Sequence, residues 1–316
     1  MGNEDYSIQT DSGSLERWTE GDVRYATTRR LVAIEPERSG ISEALHGGLR
    51  WQGRGKKDWP GFPLVSVITA VFNGERYLEE TIHSVISQTY PNLEYIVVDG
   101  GSTDQTRDIL RSYDGVIDDW RSSPDKGIAD AFNKGVERSN GTYLNFQGAG
   151  DFFLDPQAVM KMMEHVNPEQ DWLICGQIAR VGEQDPDHIH YISRPVFHRR
   201  TLLFRNPLPH QALFTHREFF RRYGEFDINL RYVMDYELFL RAYKEFPRVI
   251  MKPVQVAAWR EGGVNSGHLP DIYREYFKVR ARNRVAPRWI LYGIEKLILF
   301  RYRLKKFLNW LGMNIY

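Results

Sequence analysis

Residues 64–99, LVSVITAVFNGERYLEETIHSVISQTYPNLEYIVVD, decide the fold class of this chain. The run 64–71 is short, apolar and rich in β-branched residues, which is typical of a buried parallel strand. A helix is predicted next, because apolar residues recur at helical spacing at Leu78, Ile82, Val85 and Ile86. The run 95–98 then predicts a second strand. Strand, helix and strand in this order form a β-α-β unit.

The same alternation continues beyond residue 99. A helix is predicted over 104–113, with Ser102 or Thr103 as its cap, and another over 128–138. The run 143–146 predicts a strand that leads into Gly148-Ala-Gly-Asp151. Alternating strands and helices predict an α/β fold with a doubly wound, mostly parallel sheet and flanking helices. Ligands of such sheets bind at the carboxyl ends of the strands.

Composition divides the chain into three predicted regions. Residues 1–62 are polar and rich in Gly and charge, and we interpret them as an N-terminal extension. Residues 63–266 contain the alternating pattern, and residues 267–316 are basic and amphipathic. One cysteine, Cys175, cannot form an internal disulfide, and no run approaches the roughly 18 apolar residues that span a bilayer. We therefore expect a cytoplasmic protein that does not cross the membrane.

Two acidic residues at predicted strand ends are candidates for ligand binding. Asp99 ends one strand and Asp151 follows another, and both have glycine neighbours that permit close approach of a ligand to the backbone. A carboxylate facing a diphosphate needs a cation between the two anions, so a hard divalent ion is expected. The alternative is that each Asp only caps the next helix. Neither a G-x-G-x-x-G nor a P-loop motif occurs, which argues against dehydrogenases and P-loop enzymes.

Five ordered blocks resemble the family 2 glycosyltransferases, which have the A-type nucleotide-sugar fold. They lie between about residues 63 and 266 and read PLVSVITAVFNGERYLEETIHSVISQTYPNLEYIVVDGGSTDQT, SPDKGIADAFNKG, NFQGAGD, HQALFTHREFFRRYGEFD and MDYELFLR. The chain looks most similar to bacterial enzymes that assemble O-antigen, capsule or exopolysaccharide repeat units. The resemblance implies an inverting transfer of sugar from a nucleotide-diphosphate donor to a saccharide hydroxyl.

The resemblance also implies a donor site. Its residues would be Thr69, Ala70, Phe72, Asn73, Asp99, Lys126, Asp130, Asn133, Ala149 and Gly150. Many members have two consecutive acids where this chain has Asp99 followed by Gly100. The resemblance still favours a uridine diphosphate donor, but the loss of the second acid weakens this assignment. Lys126 is expected near the diphosphate, and the alternative is an ordinary solvated lysine in a turn.

The metal and catalytic residues follow from the same resemblance. The family's acidic metal motif is reduced here to Asp151, which would bind Mn²⁺ or Mg²⁺; Asp155 and His268 are weaker candidates. Asp235, at the start of a predicted helix, matches the family's catalytic base, with Glu237 as the local alternative. His210 and Gln211 are expected on the acceptor side, although His210 and His216 could equally be polar residues satisfied within loops.

The C-terminal tail is strongly basic. Residues 274–306 contain eleven Lys or Arg against Glu275 and Glu295, and apolar residues from Trp289 onward recur at near-helical spacing. Such a helix could lie on an anionic membrane at the inner face of the plasma membrane, near a polyprenyl-diphosphate-linked acceptor. Alternatively it docks on the catalytic domain or on a second subunit, or is a solvated basic face. Nucleic acid is not expected, because the aromatics sit at helix-core spacing.

Two further functions are possible. A nucleotidyltransferase would use a similar sheet, metal and nucleotide, but should have a basic, Gly-rich loop after the first strand, and no basic residue precedes Arg76 there. A non-catalytic nucleotide- or sugar-binding relative is suggested by the reduced metal motif.

Overall fold

The computed structural model describes residues 7–9, 15–17, 25–37, 45–183, 185, 188–194, 196–262 and 269–310. Eight α-helices lie in these ranges: α1 Leu78–Ile86, α2 Thr106–Ser112, α3 Ile128–Arg138, α4 Ala158–Met163, α5 Arg217–Tyr223, α6 Met234–Arg241, α7 Leu269–Arg282 and α8 Arg288–Trp310. The strands of the same ranges are β1 Ser7–Gln9, β2 Leu15–Arg17, β3 Val32–Ala33, β4 Leu45–Gly47, β5 Arg54–Gly55, β6 Val65–Val71, β7 Leu93–Asp99, β8 Asp119–Ser122, β9 Tyr143–Gly148, β10 Phe152–Phe153, β11 Leu173–Val181, β12 Ile189–Ser193, β13 Leu213–His216 and β14 Val249–Arg260.

Ten of the described strands form one mixed sheet. Its order is β10-β14-β11-β13-β9-β6-β7-β8-β4, and β12 pairs with β11. The block β9-β6-β7-β8 is parallel, as is the β11-β14 pair, whereas β13 runs antiparallel to both of its neighbours. This arrangement, with helices packed on the sheet, confirms the predicted α/β fold of the A-type nucleotide-sugar enzymes.

Apolar residues cover both faces of the central strands. All seven residues of β6 are buried, as are all seven of β7. Ile68 packs in a core with Phe132 of α3, and Val67 packs in a second core with Ile82 of α1. Helices therefore flank the two faces of the sheet.

Residues 45–62 are closely connected to the α/β domain. Strand β4 pairs with β8 at the sheet edge, and the buried guanidinium of Arg50 forms an ion pair with buried Glu94. Lys56 Nζ donates to the carbonyl of Leu93. The Arg50 pair holds the pKa of Glu94 below its usual range although burial opposes the charged form. The domain boundaries given above stay predictions.

The start of α2 differs from the prediction, and the helices bear on the question of a membrane span. The prediction that Ser102 or Thr103 caps the second helix is wrong, because α2 begins at Thr106 and Ser102 bonds Asp99 instead. Among the residues that the structure describes, no helix, α7 and α8 included, is long and apolar enough to cross a bilayer.

Candidate active site

The ends of three parallel strands lie side by side. Val71 of β6 is opposite Asp99 of β7, and Ala70 of β6 is opposite Gly148 of β9. The backbone N–H of Ala149 also donates to the carbonyl of Ala70 over 3.1 Å. Because neighbouring strands are about 4.8 Å apart, the loops after all three strands share one edge of the sheet. The predicted donor residues 69–73, 99 and 149–151 therefore lie on that edge.

Asp99 is held by the loops around it and is fully buried. Its Oδ2 accepts from Ser122 Oγ over 2.5 Å, and its Oδ1 accepts from the hydroxyl of Ser102. Ser102 Oγ in turn accepts from the backbone N–H of Asn73 over 2.7 Å. Asp99 thus organises the loop after its strand, and direct contact between Asp99 and a base stays a prediction.

The loop after β6 presents Phe72 and Asn73. Phe72 directly follows buried β6 and is 64% exposed. Asn73 has φ of 50°, a left-handed conformation that Asn tolerates better than most residues. Its Oδ1 accepts from the Thr103 backbone N–H over 2.9 Å. The two loops are consequently fixed to each other, and the Phe72 ring is exposed beside them.

The loop before α3 adds charge next to Asp99. A side-chain carbon on Gly100 would come within 2.6 Å of Asp125 Oδ2, so a larger residue at position 100 would displace this carboxylate. Burial raises the pKa of Asp125, and nearby Asp130 and Asp99 act in the same direction. Asp130 Oδ2 accepts from the Lys126 backbone N–H over 3.0 Å and pairs with Lys134. The Lys126 side chain is exposed.

Asp151 lies in the turn between β9 and β10 and is buried. Its Oδ2 accepts from the Gly148 N–H over 2.9 Å and from Gln211 Nε2 over 3.1 Å. Burial raises the pKa of Asp151, although the His210 ring and these hydrogen bonds act in the opposite direction. Gly150, with φ of 105°, provides the left-handed conformation that this tight turn requires.

His210 connects the two acids. Its Nδ1 lies 3.3 Å from Oδ2 of Asp235, and its ring packs edge-on against Phe132. Although burial favours neutral imidazole, the hydrogen bond and charge of Asp235, together with the charge of Asp151, raise the pKa of His210. The Asp235 side chain remains 17% exposed. His210 therefore contacts Asp235 directly, and the next residue, Gln211, donates to Asp151, so the two acids lie in the same region.

Glu237 points away from this site. It lies two residues after Asp235 on α6, so the helix turns it to another face. Its buried carboxylate pairs with Arg241 and Arg282 and accepts from Asn283 Nδ2 over 3.1 Å. These partners lower the pKa of Glu237 despite its burial.

Several other predicted residues have structural partners. Thr69 Oγ1 is buried and lies 3.1 Å from Tyr95 Oη, and the Asn133 amide makes two hydrogen bonds of 2.9 Å with the backbone of Phe226. Asp155 pairs with Lys161, and His216 Nδ1 accepts from the Glu218 N–H at the start of α5. His268 lies outside the described residues. Donor contact by Thr69 stays a prediction, and the same prediction for Asn133 competes with a structural role given by its two bonds to the Phe226 backbone.

The family is shown by comparison with known proteins. Residues 66–225 match the sequence model for glycosyl transferase family 2. The chain belongs to this family. A PGL/p-HBAD biosynthesis glycosyltransferase of Mycobacterium bovis is 28% identical over 231 residues, 68% of this chain and 83% of the relative. The putative teichuronic acid biosynthesis glycosyltransferase TuaG of Bacillus subtilis is 45% identical over 92 residues, 28% of this chain and 36% of the relative.

Solved structures show the same fold in other glycosyltransferases. Residues 1–349 of S. aureus TarS, in complex with UDP, align with a TM-score of 0.52 and 18% identity, covering 80% of this chain and 75% of that one. The mannosyltransferase PcManGT from Pyrobaculum calidifontis, in complex with GDP-Man and Mn²⁺, aligns with a TM-score of 0.51 and 17% identity, covering 79% and 84%. At sequence identities this low, the structural similarity shows the fold alone.

Sequence reasoning missed three groups that support the glycosyltransferase site. Asn206 Nδ2 donates to Asp235 Oδ2 over 2.9 Å, Thr81 Oγ1 bridges the Gly150 N–H and the Asp151 carbonyl, and Ser122 bonds Asp99. Asn206 precedes a Pro and lies four residues before His210, which was the available signal. Thr81 and Ser122 belong to a helix and a strand, where a lone hydroxyl gives no such signal.

The site's residues fit a divalent ion only in part. Asp151 offers one buried carboxylate, and burial of its charge would be relieved by a cation. Among the residues that the structure describes, no group of three or more His, Cys, Asp or Glu could hold a metal. Such an ion would take most of its oxygen ligands from a bound diphosphate and water.

Proposed function

We propose that this glycosyltransferase is an inverting, metal-dependent enzyme that moves a sugar from a nucleotide-diphosphate sugar to a hydroxyl of a saccharide acceptor. The observation that supports the proposal is the proximity of two acids: His210 contacts Asp235, and the next residue, Gln211, donates to Asp151 at the end of a parallel strand. We assign Asp151 to the donor side and Asp235 to the acceptor side, where the one base that an inverting transfer requires would lie.

Asp235 is the proposed catalytic base. The acceptor oxygen attacks the anomeric carbon, its proton passes to a carboxylate oxygen of Asp235, and the bond to the nucleoside diphosphate breaks. Asn206 Nδ2 and the Tyr236 N–H, 2.6 Å from Asp235 Oδ1, fix the carboxylate in place. Its partial exposure lets an acceptor reach it. His210 contacts Asp235 and interacts with the charge of Asp151, so a positive imidazole would reduce the repulsion between the two acids.

The donor is proposed to bind along the strand edge. The exposed Phe72 ring would contact the base, the fixed loops at Asn73 and Asp99 would hold the ribose, and Ala149 and Gly150 allow close approach of the backbone. Lys126, exposed at the mouth of the α3 loop, would neutralise the diphosphate. A uridine diphosphate donor is favoured; the TarS structure contains UDP and the PcManGT structure contains GDP-Man.

Asp151 is the proposed protein ligand of a Mn²⁺ or Mg²⁺ ion, and Gln211 orients its carboxylate. When bound, the ion would neutralise charge on the departing diphosphate. The PcManGT structure, which contains Mn²⁺ with its donor, supports a divalent cation in this fold.

The acceptor is proposed to be a growing surface polysaccharide, linked to a polyprenyl diphosphate at the inner face of the plasma membrane. The names of the relatives, which refer to teichuronic acid and PGL/p-HBAD biosynthesis, support a role in cell-surface glycan assembly.

A panel of nucleotide sugars tests the function. Each donor is incubated with Mn²⁺ or Mg²⁺, and thermal shift reports binding while released nucleoside diphosphate reports turnover. A donor that is bound, consumed in the presence of a saccharide acceptor, and not consumed by Asp235→Asn supports the proposal. Binding without turnover in both proteins would instead identify a non-catalytic binding module.

A further inference from the structure

Helix α8 buries one side and exposes the other. Leu291 and Ile294 are buried, and Tyr302 contacts Tyr273 of α7 with ring centroids 5.9 Å apart. The tail therefore has an inward face that packs on the protein. This arrangement accounts for only part of its apolar residues.

The large apolar side chains of the opposite face are open to solvent. Trp289 is 75% exposed and Phe300 is 62% exposed. Three more apolar side chains of α8 are also exposed: Tyr292, Leu297 and Leu304. Because a helix turns once every 3.6 residues, positions 289, 292, 296, 300 and 304 lie on one face, which covers about a third of the helix circumference. We call this face, with Leu297 at its margin, the outer face of α8.

Cations surround the outer face, and its exposed positions include no acid. The exposed cations of α8 in the part whose side chains are described are Arg288, Lys296, Arg301 and Arg303. None of these four forms an ion pair with another described residue. The surface is thus apolar and positive, which is complementary to a layer that is apolar inside and anionic at its surface.

Lys296 distinguishes a lipid surface from a protein partner. It lies between Trp289 and Phe300 on the outer face, with Nζ 4.9 Å from the centre of the Tyr292 ring. A protein covering these aromatics would bury the ammonium at the centre of the interface, where charged residues are depleted. At a bilayer the stem can lie among the apolar groups while the ammonium reaches the phosphates.

We propose that the outer face of α8 is a membrane-docking surface that lies in the headgroup region of an anionic bilayer. Trp289, Phe300 and Leu304 enter the acyl boundary, and the four cations contact lipid phosphates. The inference goes beyond the transfer reaction and does not require it. Buried Arg280 of α7 donates to Tyr236 Oη of α6 over 2.9 Å, so α7 connects α8 to the helix that carries Asp235. Docking of α8 would therefore hold the enzyme beside a lipid-linked acceptor.

Co-sedimentation of the full chain with vesicles tests this surface. Wild type should pellet with phosphatidylglycerol-containing vesicles and not with pure phosphatidylcholine, and high salt should release it. Trp289→Ser with Phe300→Ser should weaken binding about 100-fold, roughly tenfold for each buried aromatic lost. Lys296→Glu with Arg303→Glu should abolish it. Tyr191→Ser, which removes a 62% exposed aromatic from β12, is the matched control and should bind like wild type.

Two results would overturn the inference. One is equal pelleting of wild type and the Trp289/Phe300 double variant. The other is a wild-type dimer in sedimentation velocity that the double variant converts to monomer while vesicles bind neither protein, since the face would then hold a second copy. Asp235→Asn should pellet like wild type, so loss of sugar transfer and loss of membrane binding are separately measurable.

Discussion

His210 and Asp235 are joined by a 3.3 Å contact between Nδ1 and Oδ2, and the same ring interacts with the charge of Asp151. The imidazole therefore links the acid proposed for the donor side to the acid proposed for the acceptor side. A change in either carboxylate should alter the state of the other through this ring.

Replacing Asp235 with Asn should remove the proposed base while preserving its shape. Transfer should fall by about 10²- to 10⁴-fold, the usual range for a positioned general base. Initial rates of nucleoside diphosphate release with saturating donor and acceptor measure the effect. Donor binding in a thermal-shift assay is the control and should be unchanged. A variant with full activity would exclude Asp235 as the base.

His210→Gln should change how stability depends on pH. A histidine whose pKa is raised by folding contributes stability that is complete below its ordinary pKa of 6.5 and is lost as pH rises through the raised value. Wild type should therefore exceed His210→Gln in unfolding free energy at pH 6, and the difference should shrink as pH increases. Urea unfolding of both proteins between pH 5.5 and pH 9 checks this. A difference that grows with pH would contradict the charged imidazole.

The local pattern predicted the strands and helices that form the site well. Helix α3 occupies Ile128–Arg138 as expected, because its apolar period and flanking glycine are both local features. The position of β13 in the sheet, antiparallel between β9 and β11, could not be predicted. It depends on contacts between residues about 70 positions apart, which periodicity does not encode.

The limits at the site have the same origin. Asp151 and Asp235 could be selected from their motifs, yet the contacts of His210 with Asp235 and of Gln211 with Asp151 required the folded chain. Asn133 shows the opposite case. Its position on the donor-facing helix suggested ligand contact, whereas its amide holds the backbone of Phe226, which is 93 residues away.

Asn133→Ala should therefore destabilise the fold more than it weakens the donor complex. Two hydrogen bonds to the Phe226 backbone are lost, and leaving these groups buried and unpaired costs about 3 kcal/mol. Chemical unfolding measures this cost. Donor affinity, determined at a temperature where the variant is folded, should change less than about threefold. A large loss of affinity with normal stability would establish Asn133 as a donor ligand.

Glu237→Gln should lower the free energy of unfolding but leave the rate of sugar transfer unchanged. The carboxylate pairs with Arg241 and Arg282, whose side chains are 26% and 44% exposed, so we expect a loss of about 2 kcal/mol, less than for a fully buried pair. Because its pKa is lowered by folding, this contribution should be present above pH 4.5 and disappear as pH falls through the lowered value. Transfer per folded molecule should match wild type. Strong inactivation of a stable variant would instead favour Glu237 as the base.

Asp151→Asn should separate folding from metal binding. Burial raises the pKa of this carboxyl, so the charged form is unfavourable without a cation, and a neutral amide oxygen can still accept from Gly148 and Gln211. The unliganded variant should melt at or above the wild-type temperature at pH 7.5. The additional thermal shift that Mn²⁺ gives in the presence of nucleoside diphosphate should be lost, because the ion's protein ligand is gone. Asp155→Asn, which affects the pair with Lys161 and the hydrogen bond from the Gln157 N–H, is the matched control and should keep that shift. If Asp151→Asn retains the Mn²⁺-dependent shift, the ion is bound elsewhere or by the diphosphate alone.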